Sequence, residues 1–541
     1  MKLLRQLQHL QATHGYLTED ILRSLAKQEN LPLYHLQGLV SFYPHFRTTP
    51  PPRLEVAVCR DMSCWLAGAP QQCRRLKHET QDIGGCEVRE VSCLGQCEMA
   101  PAAAVNGTAI ALNDDSHVRE WTQCHPEVPK ADPGKSRHWQ SDPYATATEH
   151  FDLLRELLRR NRNQASEQII AALKESDLRG MGGAGFPTGT KWELVRREAR
   201  LPKYVICNAD ESEPGTFKDR VILAELSHLV IEGMIVAALV TGAERGILYI
   251  RHEYEPERQL FEKELERARE MGLVGTNILR TGFNFDLEIF VSPGGYILGE
   301  ETALLEALED KRGEPRNKPP FPNTYGLHGQ PTLINNVETL ALVPAIVRLG
   351  PAWWKSQGKE GYCGLKFVAL SGHVEKPGVY EIPVGTTVRE LLALGGGMKD
   401  GRQLAAFAPG GASSHFLPPS LIDLPLDFTA VAKAGSMLGS GAVVAIAEGT
   451  DMLALAANVV RFFRNESCGK CVPCRVGSQL AVDILERVQS GQADRKELSV
   501  LPELAETMTL TSICGLGQVA LNPVVSVMKH WPEVNHDQSA H

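Results

Sequence analysis

The stretch "ESCGKCVPCR" sets Cys468, Cys471 and Cys474 at strict intervals of three residues. Thiolates are soft ligands suited to zinc or iron–sulfur clusters, and a C-x2-C-x2-C run turns successive sulfurs toward one compact centre. Three sulfurs need a fourth. Cys514 in "TSICGLG" is the expected partner, followed by Gly515 and Gly517, which permit close backbone approach. Arg475 follows Cys474 in place of the proline of two-cluster bacterial ferredoxins, so a single [4Fe–4S] cluster is expected, with zinc as the alternative.

A second constellation is Cys59 and Cys64, then Cys93 and Cys97. "RLEVAVCR" and "CEVREVSC" alternate like strands, so two loops at one end of a sheet can gather four thiolates. The spacing favours a [2Fe–2S] centre over structural zinc, which usually takes a tighter C-x2-C turn. Cys73, Cys86, Cys124, Cys207 and Cys363 are scattered and read as buried small hydrophobes.

"LRGMGGAGFPTGTKW" (178–192) matches G-x-G-x-x-G at Gly180, Gly182 and Gly185. The helical "SEQIIAALKESDL" before it stands where a strand belongs, which argues against a standard Rossmann βαβ unit. The glycines can still admit a phosphate or a flat ring, with the charge of Lys191 in reach. "CNADESEPGTFKDR" crowds Asp210, Glu211 and Glu213 ahead of a Pro-Gly turn, and "SPGGYILGEETALLEAL" opens a helix with Glu300 and Glu301. Taken alone, these are a solvated acidic loop and helix-capping acids. "KRGEPRNKPPFP" and "LINNVETL" add cations, an aromatic and two adjacent amides.

The elements that must hold these groups can be placed along the chain. Residues 1–50 read as short helices and 125–150, rich in proline and polar groups, as a linker. Strand-like "KYVICNAD", "RGILYI" and "DLEIFV" alternate with helical stretches up to about residue 355. Residues 365–397 run strand, turn, strand, helix, compact enough for a small β-grasp domain, and the chain beyond about 440 is mostly helical. The 541 residues, 43% hydrophobic and 22% charged, suffice for several cores in a multidomain α/β protein. A net charge of −9 argues against general nucleic-acid binding. No apolar run approaches the ~20 residues of a membrane helix, and the N-terminus lacks an apolar signal core. A cytoplasmic protein with reduced cysteines is expected.

Together, the cysteine sets and the glycine, acid and amide motifs resemble the NADH-binding flavoprotein subunit of respiratory complex I and related diaphorase subunits. The N-terminal segment resembles the thioredoxin-like [2Fe–2S] subunit of the same systems, fused in front. The resemblance implies a helical and thioredoxin-like [2Fe–2S] domain over 1–125, a linker over 126–150 and a Rossmann-like FMN and NAD domain over 151–355. A β-grasp (SLBB-type) domain over 356–430 and a helical [4Fe–4S] domain over 431–541 would follow.

It further implies FMN contacts from Gly180, Gly182 and Lys191, from Asn208 and Asp210, from Gly299 and Glu300, and from Asn335, Asn336 and Thr339. Nicotinamide nucleotide contacts are implied for Glu211, Glu213, Tyr296 and Lys318, with Phe186, Glu301 and Phe321 positioning the ring for hydride exchange with FMN. Acids at the ribose favour NAD over NADP, because a 2′-phosphate meets like charge. Met181 stands where many relatives carry Arg, and Leu194 replaces an aromatic on the adenine side. Such a module needs a partner for its second substrate. A fused chain of this order implies a soluble NAD-linked formate dehydrogenase, with a molybdo- or tungstopterin partner, or an NAD-reducing [NiFe] hydrogenase; complex I keeps the two pieces separate. "CRDMSC", which lacks a Gly-Thr pair, points to formate. The alternative from another class is a zinc-stapled scaffold without flavin.

Overall fold

The computed structural model describes residues 2–114, 116–123 and 137–535. Three sheets carry the molecule. In the first, β1 (Leu54–Cys59) pairs in parallel with β2 (Cys86–Val91) and antiparallel with β3 (Ala102–Val105), which pairs with β4 (Thr108–Ala111). Val56, Val58, Ala103 and Val105 fill a core of their own against Cys73 and Leu76.

The second sheet runs β7-β8-β6-β5-β9, from β5 (Tyr204–Ala209), β6 (Arg245–Ile250), β7 (Gly275–Ile278), β8 (Phe283–Val291) and β9 (Thr332–Asn336). Strands β8, β6, β5 and β9 are parallel, and β7 is an antiparallel edge. "YVICNA" and "RGILYI" are nearly continuous apolar runs because both faces of the parallel sheet are covered. Helix Ser227–Thr241, wholly buried and apolar over most of its surface, lies within this domain. After β5 the chain builds outward through β6 to β8, then returns to β9 on the other side of β5. This makes a topological switch point, and its crevice lies at the carboxyl ends of β5 and β9.

The third sheet, β11-β10-β13-β12, is built from β10 (Leu365–Gly372), β11 (Gly378–Pro383), β12 (Leu404–Ala408) and β13 (Ala442–Ala447). Its helix Val388–Leu394 starts with a capping box of Thr387 and Glu390. The sheet runs past the expected segment 356–430: β13, a fully buried apolar strand, pairs in parallel with β10. Helices Met452–Glu466, Val472–Gln489, Leu501–Thr511 and Asn522–His530 complete the C-terminal part.

Two further expectations need adjustment. Helices Lys2–His14, Glu19–Gln28 and Leu33–Phe42 form as expected, but their core is shared with one face of the second sheet and with the C-terminal helices. The Leu4 N–H donates to Asp310 Oδ1 (2.9 Å) and Arg5 pairs with Glu288 (2.8 Å). Of the expected linker, residues 137–150 are packed: Trp139 and Tyr144 are buried, donating to Glu225 (2.8 Å) and Glu232 (2.7 Å). These two buried rings anchor the segment around Pro143. Residues 126–136 and Cys124 lie outside the described residues. Cys73 and Cys207 are buried as expected, whereas Cys86 is half-buried and Cys363 exposed. Among the described residues no single helix is long and apolar enough to cross a membrane; the pair Lys218–Glu225 and Ser227–Thr241 passes that test only together, across a 93° bend.

Candidate functional site

A cavity of about 810 Å³ opens at the switch point, within the size range of nucleotide and cofactor sites. Gly180 and Gly182 form one wall. Their loop is held by the Gly180 N–H on Phe186 O (2.9 Å) and the Met181 N–H on Thr339 Oγ1 (2.8 Å). A Cβ on Gly182 would stand 3.0 Å from Asn336 Cβ, so a side chain there would crowd the wall. Helix Thr188–Arg197 begins at this loop and brings Lys191 to the cavity, suiting an anionic group.

The β5 end supplies Asn208 and Asp210. Asn208 Nδ2 donates to Gly299 O (2.8 Å), and Asp210 accepts from Ser212 (2.6 Å) and Ser292 (2.8 Å). Burial pushes the Asp210 carboxyl up to about 6, against those hydrogen bonds. The β9 end supplies Asn335, which accepts from Trp192 Nε1 (2.9 Å), and Asn336, which caps helix Val337–Leu349 and donates to Asp219. Thr339 is fully buried behind the glycine loop, supporting it rather than facing the cavity.

The acids divide by role. Glu211 takes the Asp219 (2.9 Å) and Arg220 (3.2 Å) N–H groups and the Tyr254 hydroxyl (2.9 Å), so it caps helix Lys218–Glu225 from the cavity wall. Glu213 accepts from the Tyr296 hydroxyl and the Ser413 N–H, both at 2.6 Å; burial pushes its carboxyl up while these donors pull it down. Glu300 is the N-cap of helix Glu301–Leu308 and pairs with Lys318 (3.0 Å). Glu301 faces Lys191 and Lys318, each at 3.4 Å. Burial would raise its carboxyl, but the two ammonium groups hold it below the usual carboxylate range. Phe186 and Phe321 stand on the cavity with 46% and 53% of their surfaces exposed, large rings free to stack on a flat ligand. Leu194 also lines the cavity.

The structure brings the cysteines of each set together. Cys59 neighbours the thiols of Cys64 and Cys93, and Cys93 and Cys97 lie 3.6 Å apart, all buried. The Gly95 N–H reaches Cys93 Sγ and the Ala102 N–H reaches Cys64 Sγ, both at 3.4 Å. Asn458 pins the loop from the C-terminal helices, accepting from the Met62 N–H (3.1 Å) and donating to Arg60 O (3.0 Å). Cys468 and Cys471 lie on the loop between helices, Cys474 in the first turn of Val472–Gln489, and Cys514 caps Gly515–Val519. Burial pushes the Cys474 and Cys514 thiols up to about 11 and about 12, so ligation must displace their protons. Gly517 is the glycine that close approach requires: its Cβ would stand 2.9 Å from Cys474 Cβ, whereas Gly515 faces open space. A buried four-thiol set and a second that is half-buried at Cys468 and Cys471 fit iron–sulfur clusters, and the glycine-walled cavity fits FMN with a nucleotide.

Residues 173–345 match the Nuo51 FMN-binding domain, and residues 454–537 match the NADH-ubiquinone oxidoreductase-F iron-sulfur binding region. Residues 1–123 match the thioredoxin-like [2Fe-2S] ferredoxin and 367–417 the SLBB domain. An F-type NADH-quinone oxidoreductase subunit of Rhizobium meliloti is 46% identical over 366 residues, which cover 68% of this chain and 87% of that protein. The chain belongs to the family of F-type NADH-quinone oxidoreductase subunits. The F-type subunit of Buchnera aphidicola is 41% identical over 394 residues, covering 72% of this chain and 87% of that one. Among solved structures, a chain of NAD+-reducing [NiFe]-hydrogenase in the air-oxidized state superposes with a TM-score of 0.85 at 33% identity, covering 98% of this chain and 92% of that one. As a member of the F-type family, the chain is an NADH-binding oxidoreductase subunit with FMN, [2Fe–2S] and [4Fe–4S] domains.

The cavity of this F-type protein also draws on residues the motifs do not mark. Gly410, Ser413, Met437 and Ser440 come from the β-grasp part, and Gly515, Leu516 and Val519 from the segment after Cys514. The glycine- and serine-rich "PGGASS" and "GSMLGSG" were the available signal. Glu466 is likewise unmarked: it joins Ser92, beside Cys93, to the Tyr296 N–H.

Proposed function

We propose that the chain is the NAD-linked module of a formate dehydrogenase, exchanging a hydride with NAD(H) in the switch-point cavity and single electrons with a partner subunit. One observation carries the module: a single cavity is lined by the glycine loop, by the Glu213–Tyr296–Ser413 cluster and by the segment after Cys514. Bound FMN supplies the conversion between a hydride's electron pair and the single electrons that clusters carry. Phe186 and Phe321 clamp the nicotinamide end of the nucleotide, and Glu301, fixed by Lys191 and Lys318, orients it. Glu213 retains lone pairs for ribose hydroxyls, which favours NAD over NADP. Gly180, Gly182, Asn208, Asp210, Asn335 and Asn336 hold the flavin, and the cysteine sets Cys59/Cys64/Cys93/Cys97 and Cys468/Cys471/Cys474/Cys514 hold the clusters.

The "CRDMSC" loop supports formate as the second substrate and a molybdo- or tungstopterin partner. A second reading, the diaphorase subunit of an NAD-reducing hydrogenase, draws on the likeness over 98% of the chain to such an enzyme. A cytoplasmic setting belongs to either reading, because thiolate ligands persist where cysteines stay reduced. The test is co-purification of the tagged chain from its native cells. Formate-dependent NAD+ reduction with molybdenum or tungsten in the complex supports the first reading, and hydrogen-dependent reduction with nickel replaces it by the second. A flavin-free chain without NADH:dye activity refutes both.

A further inference from the structure

Behind the cavity lies a wholly buried group of charges that the nucleotide site does not use. Lys218 pairs with Asp219 (2.6 Å) and Glu338 (2.8 Å), and Glu338 also faces Lys366 (3.4 Å); all four side chains are at most 4% exposed. Asp219 and Asn336 are the cavity-lining ends of this group, since Asn336 donates to Asp219 and accepts from Lys218 (3.4 Å). Lys366 comes from β10, in another sheet. Its ammonium lies 3.7 Å from the sulfur of Met181, the residue between the two cavity-lining glycines, and faces the Phe428 ring. The Phe367 N–H donates to the other oxygen of Glu338 (2.9 Å). Burial and the neighbouring Asp219 push the Glu211 carboxyl beside this group up to about 8, which keeps it mostly protonated near pH 7, so Lys218 and Lys366 against Asp219 and Glu338 leave the group neutral.

We propose that Lys366, delivered by the β-grasp sheet, is a positioning residue for the flavin: by balancing Glu338 behind the glycine loop it sets how strongly the cavity favours reduced over oxidised FMN. Reduction adds negative charge, and charges in a dry interior act over longer distances than in water. Without Lys366 the group carries one uncompensated negative charge behind the glycine loop. Lys366 itself is sensitive to its setting: burial, opposed by Glu338, pulls its ammonium down to about 8, with Lys218 lowering it further and Asp219 raising it. The inference rests on FMN binding, which family membership shows, and needs no choice of partner.

The experiment is a spectroelectrochemical titration of FMN in the holoprotein, comparing wild type with Lys366→Met, Glu338→Gln and the double variant. Lys366→Met should weaken binding of reduced relative to oxidised FMN about tenfold, read as a fall of ~30 mV in the two-electron potential. Glu338→Gln keeps an acceptor for the Phe367 N–H and should move the potential upward. The double variant, again neutral, should return close to wild type. A merely structural role moves both single variants the same way, through lost FMN and lower unfolding temperature, and that result overturns the proposal, as do potentials that stay put. If Lys366→Met does not fold, the raised potential of Glu338→Gln and its reversal in the double variant make the same comparison.

Discussion

Glu466 Oε2 accepts the backbone N–H of Tyr296 at 2.9 Å, tying the loop that leads to Cys468 to the residue that holds Glu213 at the nucleotide cavity. Its other oxygen takes the Ser92 hydroxyl, next to Cys93. One carboxylate therefore meets both cluster loops and the nucleotide site. Glu466→Ala leaves the Tyr296 N–H and the Ser92 hydroxyl without their acceptor, at about 1–3 kcal/mol. We expect a several-fold rise in KM for NADH, full FMN content and a lower unfolding temperature; unchanged KM and stability would show that the bridge is dispensable.

Glu213→Gln should raise KM for NADH roughly ten- to hundredfold, as expected for a lost charge-assisted hydrogen bond of ~1.5–3 kcal/mol. A ribose contact away from the reacting carbon is equally strong in ground and transition states, so kcat should change little. Stopped-flow flavin bleaching across NADH concentrations checks this, with flavin occupancy as the control.

Cys514→Ala should remove the [4Fe–4S] signal from the reduced protein's electron paramagnetic resonance spectrum while NADH still bleaches the flavin. The other three ligands sit on one loop and the following helix turn, so the fourth decides closure of the set. Unchanged iron content would place the fourth ligand elsewhere.

FMN affinity should depend on pH through Asp210. Its carboxyl, pushed by burial up to about 6, is ionised above that pH and protonated below it. The ionised form accepts hydrogen bonds from flavin or ribityl donors, so binding should be full at pH 7 and weaken about tenfold by pH 5. Asp210→Asn should flatten this profile. Equilibrium dialysis of FMN at several pH values provides the measurement.

The site was legible in the sequence where chemistry sits in short motifs. Both cysteine sets, the glycine loop and the acids of "CNADESEPG" lie where their local patterns place them, because each is fixed by its own turn or helix start. The four domain types were legible for the same reason. What local pattern could not show was long-range. Trp139 and Tyr144 dock residues 137–150 through two aromatic anchors. Strand β13 completes a sheet begun about seventy residues earlier. Ser413 lines the cavity from the turn after β12, and Lys366 of β10 reaches Met181 behind the glycine loop, so no spacing rule links them to the site.

Anaerobic titration of the isolated chain with NADH interrogates flavin and clusters together, because the cavity and both cysteine sets lie in one polypeptide. Bound FMN should bleach, followed by reduction of the iron–sulfur absorbance within the same protein, with NADPH clearly poorer, as the proposed contact of Glu213 with the ribose requires. Flavin and iron present at full occupancy but unchanged by NADH, or equal rates with both nucleotides, would contradict it.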